Sequence, residues 1–322
     1  NRLKSLHEFQ KNPEHQWDAS LFNTIRDNSQ FKTKGLYKKL VYGSDFPYYK
    51  GNIMELGTRG TNFLPSLAKG GLSNVWGGAI LPYRDFDIDD WPIKVSDLIQ
   101  GYKSVLSFID LAAYRDELDN LFPLYNDSYR PLITSQQANA LMSNFRKNKG
   151  ILNDNGLYFG HSRLAVRSFP TMNQSGCVYC GNCLHGCPHE LIYNSSFTLF
   201  EMQKHPNFIY KKNIVVKKVA EKKSLVHIYA NNIKDGTSVK FCGDRVYLAT
   251  GVLSTAKIMM ESMEAYNTEL RLKSSQYFLL PLIHYKNQRN VHNERLHSLS
   301  QIFIEIIDKS ISRNTIHLQL YT

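Results

Sequence analysis

Apolar residues recur at helical spacing in three stretches of the chain. Over 96–111, Leu98, Tyr102, Val105 and Ile109 share one stripe, Ser96 stands where an N-cap belongs, and Trp91-Pro92 marks the preceding turn. Over 135–149, Ala138, Leu141, Met142 and Phe145 fall on one face. Arg146, Lys147 and Lys149 suit the negative end of that helix, and Gly150 is expected to close it. A shorter helix is predicted over 194–204, stopped by Pro206. From Asn207 the period changes to two, which predicts short strands at 208–210, 215–221, 225–230, 239–241 and 246–249. Asn231-Asn232 and Asp235-Gly236 supply turn chemistry between them. The last of these strands runs into Thr250-Gly251, and Ser254 then opens a helix through Ser262, a strand–glycine–helix unit. Beyond Lys273 the alternation predicts a separate antiparallel sheet from 277–285, 299–307 and 316–321. Residues 1–50 show no clear period and read as loops with short helices.

Length and composition narrow the class without deciding it. With 322 residues, 42% hydrophobic and 21% charged, the chain has the make-up of a globular protein with room for two domains. No apolar run is long enough for a membrane span, and no N-terminal signal-peptide pattern is present. The chain opens at Asn1 in polar sequence, so a fragment or a processed chain is expected. The net charge of +11 is spread along the sequence. Its mild concentration over 211–223 alternates Lys with Val and Ile, as on the solvated face of a strand pair, so no nucleic-acid partner is expected.

Cysteine usage is far from even. Four of the five cysteines, Cys177, Cys180, Cys183 and Cys187, fall in one run with the spacing C-x2-C-x2-C-x3-C-P. Such spacing lets thiolates converge on an iron–sulfur core, and Gly181 and Gly186 permit the backbone angles required. Three readings stand: an iron–sulfur cluster, a four-cysteine zinc site, or a metal-free thiol loop. Cys177, Cys180 and Cys183 alone would hold a 3Fe-4S cluster, whereas Cys187 or the remote Cys242 would complete a 4Fe-4S one. Cys242, next to Gly243, otherwise reads as a buried small apolar residue. His185 and His189 flank the thiols and would tune or ligate a metal; His161, His284 and His317 read as packing or capping groups. Clustered thiols without partners elsewhere point to a reducing compartment, hence a cytoplasmic setting. A second concentration lies at Gly57-Thr-Arg-Gly60 and in 69–78, where Gly70, Gly71, Gly77 and Gly78 flank Ser73, Asn74 and Trp76. Backbone of this kind closely approaches a phosphate or a flat ring, or else forms a tight turn at a domain edge.

Three stretches together resemble the glucose–methanol–choline family of flavin oxidoreductases. Residues 70–78 look like the family's Gly-Gly-Ser-Ser flavin loop. Residues 207–219 are similar to the strand pair in which a valine backbone meets the adenine, here Val216. Residues 246–260 look like the final nucleotide-domain strand, its Ala-Gly turn (here Ala249, Thr250 and Gly251) and the following helix. A bacterial branch of the family also carries a Cys-x-x-Cys-Gly-x-Cys-x-x-Gly-Cys-Pro segment, matched here through Cys177, Cys180, Cys183, Cys187, Gly181, Gly186 and Pro188.

The resemblance implies an FAD-dependent dehydrogenase acting on the CH–OH group of an alcohol or sugar. It further implies onward electron transfer through the cysteine-bound cluster to an external acceptor, such as a protein. Gly70, Gly71, Ser73, Asn74 and Trp76 would line the flavin, through backbone more than side chain. The implied fold is α/β, α+β overall: an incomplete Rossmann-like FAD-binding domain with a second, antiparallel-sheet substrate domain. Its parts would be 1–83 and 191–265 for FAD, 84–190 for a helical cap carrying the cysteine loop, and 266–322 for the start of the substrate sheet. Two family features are missing from the sequence, the G-x-G-x-x-G turn and the C-terminal catalytic histidine region. The expectation is therefore a chain truncated at both ends, with its catalytic base unassigned, that alone binds FAD poorly and is inactive. A non-enzymatic iron–sulfur or zinc module is the rival reading.

Overall fold

A computed structural model describes residues 46–49, scattered positions of 51–63, and then 65–171, 174–272, 278–283, 288–289, 291–294 and 296–322. The architecture is mixed α/β with two small antiparallel sheets of three strands each. The chain divides into two compact units, one of residues 1–50, 64–199 and 281–322, the other of 51–63 and 200–280. No helix among the described residues is long and apolar enough to cross a membrane.

The first unit starts its regular structure with helix α1, Val95–Leu106. Its entry differs from expectation: Ser96 lies inside the helix, and the Lys94 N–H donates to Asp97 Oδ2 at 2.9 Å instead. An acidic side chain in the first turn satisfies the exposed N–H end as well as a hydroxyl would. Helix α2, Gln136–Lys147, begins at Ser135, whose Oγ accepts from the Ala138 N–H at 2.9 Å. Gly150 does not close it. The break falls at Asn148, and Gly150 lies inside a short helix α3, Lys149–Asp154.

Strand β1, Leu157–His161, follows and was not foreseen, because its single turn of alternation is masked by Gly160. The α2 face buries Ala138 and Met142 against Phe159 of β1, with the Phe145 and Phe159 rings 5.2 Å apart. A second cluster gathers Leu118, Phe122, Leu132, Leu164, Val166 and Ile192 with Leu299 and Phe303, joining residues from both ends of the unit.

The 8-residue helix α4, Ser195–Met202, leads out of the first unit. The second unit is a meander of β2 (Ile214–Lys222), β3 (Leu225–Asn232) and β4 (Ser238–Gly243), antiparallel in sequence order. Lys223 and Ser224 both take positive φ, which makes the tight first hairpin. Asp235 Oδ1 accepts from the Thr237 N–H and hydroxyl in the second. Helix α5, Val252–Ser262, packs on β2, where Ser262 Oγ accepts from the Val219 N–H at 2.8 Å.

Back in the first unit, β5 (Ile302–Ile306) and β6 (Ile316–Leu320) complete its sheet in the order β1-β5-β6. Phe159 pairs with Ile304, which pairs with Leu318.

Three expected strands do not form as drawn. Residues 208–210 and 246–249 are irregular, with Ile209 and Tyr247 left 74% and 84% exposed. Neither finds a ladder partner among the described residues, and a strand without one gains nothing from an extended backbone. The stretch 277–285 lies partly outside the described residues, and 278–283 is irregular with exposed apolar side chains.

Candidate functional site

The cysteine run folds as a loop pinned to the core of the first unit. The Cys177 N–H donates to the Ser168 carbonyl at 3.2 Å. Gly181 takes φ +72° and opens a 3-10 turn, Asn182–His185. The Tyr179 hydroxyl accepts from the Ile133 N–H at 3.0 Å. These turns bring all four loop thiols to one cavity of about 20 Å³, lined also by His189, His297, Val166, Ile192 and Leu299. No disulfide forms among them.

Burial dominates their chemistry. It pushes the Cys177 thiol up to about 12, and the Cys183 thiol up to about 11 despite hydrogen bonds from Ser298. Cys180 is also raised, again chiefly by burial. Near neutral pH these groups are therefore thiols, and ligand duty requires a cation to displace their protons. Among the described residues no group of three or more His, Cys, Asp or Glu side chains is drawn together as a ready-made metal site. The donor set still fits a thiophilic centre in type and number, four sulfurs with a nitrogen beside them. About one water-sized body fits the cavity as it stands, less than a multi-iron core occupies.

A remote segment closes this cavity. The Ser298 hydroxyl donates to the Gly181 carbonyl at 2.9 Å, and Ser298 backbone and side chain both hydrogen-bond Cys183. His297 is 3% exposed, and burial pulls its pKa down to about 4 while the Leu299 backbone opposes the shift. It is therefore a neutral imidazole at physiological pH. Sequence reasoning missed both residues, since no spacing links 297–298 to the cysteine run.

The glycine-rich loop forms a 3-10 turn, Gly71–Asn74. Gly70 holds φ +87°, and a Cβ there would stand 2.5 Å from Asn194 Oδ1. The side chains of the loop are spent on its own fixation. Ser73 Oγ donates to the Gly70 carbonyl and accepts from the Ser195 N–H at 3.0 Å. Asn194 Nδ2 donates to Asn74 Oδ1 at 2.7 Å, and Trp76 Nε1 to the Tyr193 carbonyl at 2.7 Å. Tyr193, Asn194 and Ser195 are thus partners of the loop that the sequence showed only as a helix start.

The loop and the thiol cavity adjoin. A Cβ on Gly78 would lie 3.5 Å from Ile192 and 3.7 Å from Val166, side chains that also line the cavity. Trp76, Cys177, Cys183 and Cys187 all pack on one apolar cluster.

The remaining expected cofactor residues lie in the second unit. Val216 sits on β2 opposite Ala230, just before a register shift. Ala249 and Thr250 precede Gly251, which begins α5 at φ +83°, and the Gly251 carbonyl accepts from the Thr255 N–H at 2.9 Å. Cys242 is exposed, not buried as expected, because β4 alternates and places it on the outward phase. Its sulfur lies 3.4 Å from His227 Nδ1.

The other histidines have structural company. His161 Nδ1 lies 2.9 Å from Asp116 Oδ2 under the Tyr114 ring, and His317 Nδ1 lies 2.6 Å from Glu305 Oε1. His284 and the His185 side chain lie outside the described residues. No protein-family model matches the chain, and no curated protein matches it.

Proposed function

We propose that the chain belongs to a flavin-dependent oxidoreductase acting on the CH–OH group of an alcohol or sugar, with the cysteine loop as its electron outlet. One observation carries this reading: Gly78 of the glycine-rich loop and the four-thiol cavity share the walls Val166 and Ile192. A redox pair in series needs its two sites this close, and a structural metal knuckle does not.

When bound, the flavin would accept a hydride from the carbinol carbon, and a cysteine-held cluster would take electrons onward to an acceptor such as a protein. The chain's residues would bind and orient these groups. Gly70, Gly71, Ser73 and Asn74 present backbone toward a ring or phosphate, since their side chains are engaged internally. Trp76 braces the loop against the same apolar cluster as the thiols. Val216, Ala249, Thr250 and Gly251 would serve the nucleotide half of FAD in an incomplete Rossmann-like domain. Cys177, Cys180, Cys183 and Cys187 would hold a 3Fe-4S or 4Fe-4S cluster. No general base is assigned.

A different observation favours the rival, a metal-binding module without flavin. The thiol cavity of about 20 Å³ suits a single ion better than a cluster, and four cysteine sulfurs make a complete tetrahedral zinc shell. Spectroscopy of the protein purified anaerobically separates the two. The flavoprotein reading predicts bound FAD that bleaches when an alcohol or sugar substrate is added, in protein whose upstream reading frame encodes a strand and G-x-G-x-x-G. Flavin-free protein with an unrelated upstream frame would overturn it.

A further inference from the structure

We infer that His297 is the nitrogen ligand of the cysteine-loop metal centre, binding through Nδ1 as the fourth donor beside three of the four thiolates of Cys177, Cys180, Cys183 and Cys187. The inference rests on the reading of that loop as a metal centre, and adds a ligand that no spacing in the sequence assigns.

Four observations converge on this ring. His297 lines the thiol cavity itself. It is 97% buried, and its Nδ1 has no hydrogen-bond partner. A buried polar atom left in that state costs about 1–3 kcal/mol, so an occupant that takes the lone pair would recover the loss. The ring is also within hydrogen-bonding range of the Leu299 backbone. Ligating histidines commonly donate their second nitrogen to a backbone carbonyl, which fixes tautomer and orientation.

The neighbours hold the ring in place. Ser298 bonds Gly181 and Cys183, and Leu299 forms part of the cavity wall. The Leu296 carbonyl lies 3.7 Å from where a Gly181 Cβ would stand. Thus 296–299 lies along the cysteine loop, and its one orphaned nitrogen belongs to a ring that lines the thiol cavity. Binding a divalent ion here releases the protons of the ligating thiols to solvent and changes no oxidation state.

The test loads the metal-free full-length chain with Co²⁺ alone. Wild-type protein should show thiolate-to-cobalt charge-transfer bands and, by pulsed electron paramagnetic resonance, hyperfine coupling to a strongly bound nitrogen. His297→Ala should lose the nitrogen coupling, keep the thiolate bands, and bind Co²⁺ at least about 10-fold more weakly. Thiolate bands without nitrogen coupling in the wild type would overturn the role of His297 while leaving the metal centre standing. Absence of thiolate bands in the wild type would remove the metal centre and His297 together. The wild-type spectrum decides the matter even where the variant does not fold.

Discussion

The Ser298 hydroxyl donates to the carbonyl of Gly181 at 2.9 Å across 117 positions of sequence. That bond ties the turn of the cysteine loop to the segment entering β5, and Ser298 hydrogen-bonds Cys183 as well. The loop is therefore clamped from outside rather than held by its own turns alone.

Replacing Ser298 by Ala removes the clamp. A single hydrogen bond contributes about 0.5–1.5 kcal/mol, so thermal unfolding should come a few degrees earlier. The buried Cys183 should also react faster with an alkylating reagent. Ser298→Thr keeps the hydroxyl and should restore both values.

The glycine-rich loop offers a sharper case at Gly70. An alanine there meets Asn194 Oδ1 at 2.5 Å and Ser196 Cβ at 3.2 Å, at φ +87°. The left-handed conformation alone costs about 1–2 kcal/mol for a residue with a side chain. Asn194 is held by Asn74 and by the Ser196 N–H, so it cannot easily yield. Gly70→Ala should lower thermal stability by at least that strain and weaken FAD binding, read by fluorescence titration. Gly71→Ala has open space around its Cβ position but also a positive φ, so it should show the strain without the clash.

Legibility followed the range of the interaction. The α2 face, with Ala138 and Met142 buried, was plain because its period is local. The meander of β2, β3 and β4 was plain for the same reason. β1 was not, since Leu157–His161 becomes a strand only by pairing with β5 far along the chain. Conversely, 246–249 has strand composition but finds no ladder among the described residues. At the site, the four cysteines declared themselves by spacing, and Gly70 by its neighbours. His297, Ser298 and Asn194 were silent, because each acts through a tertiary contact that no periodicity encodes.

Asp119 carries the largest expected loss of stability. It faces Arg163, which is 2% exposed, at 2.6 Å from Nη2, while Arg163 Nη1 donates to the Phe122 carbonyl. Asp119→Ala strands a buried guanidinium and should cost about 3–5 kcal/mol, measured by denaturant unfolding. Removing both charges together, as Asp119→Leu with Arg163→Met, should cost markedly less.

Acid should loosen the edge of the first sheet. Burial alone would raise the Asp87 carboxyl, but Arg84 and the Thr315 hydroxyl and N–H outweigh it and hold the pKa below the usual 3.8. A depressed carboxyl contributes stability above its unfolded pKa and loses it as pH falls through the folded one. The contribution should thus be intact above the unfolded value of 3.8 and be lost only as pH falls below it, through the depressed folded value. Asp87→Asn should flatten this acid limb of the melting profile and leave the neutral region about 1–2 kcal/mol lower.

The most direct test of the cysteine loop as a metal centre is the metal content of anaerobically purified protein. Elemental analysis should find metal in fixed proportion to the chain, iron with acid-labile sulfide on the flavoprotein reading, and Cys183→Ser should lose most of it while keeping its fold. A metal-free wild type with all four loop thiols titratable after unfolding, or an unchanged metal content in Cys183→Ser, would contradict the account.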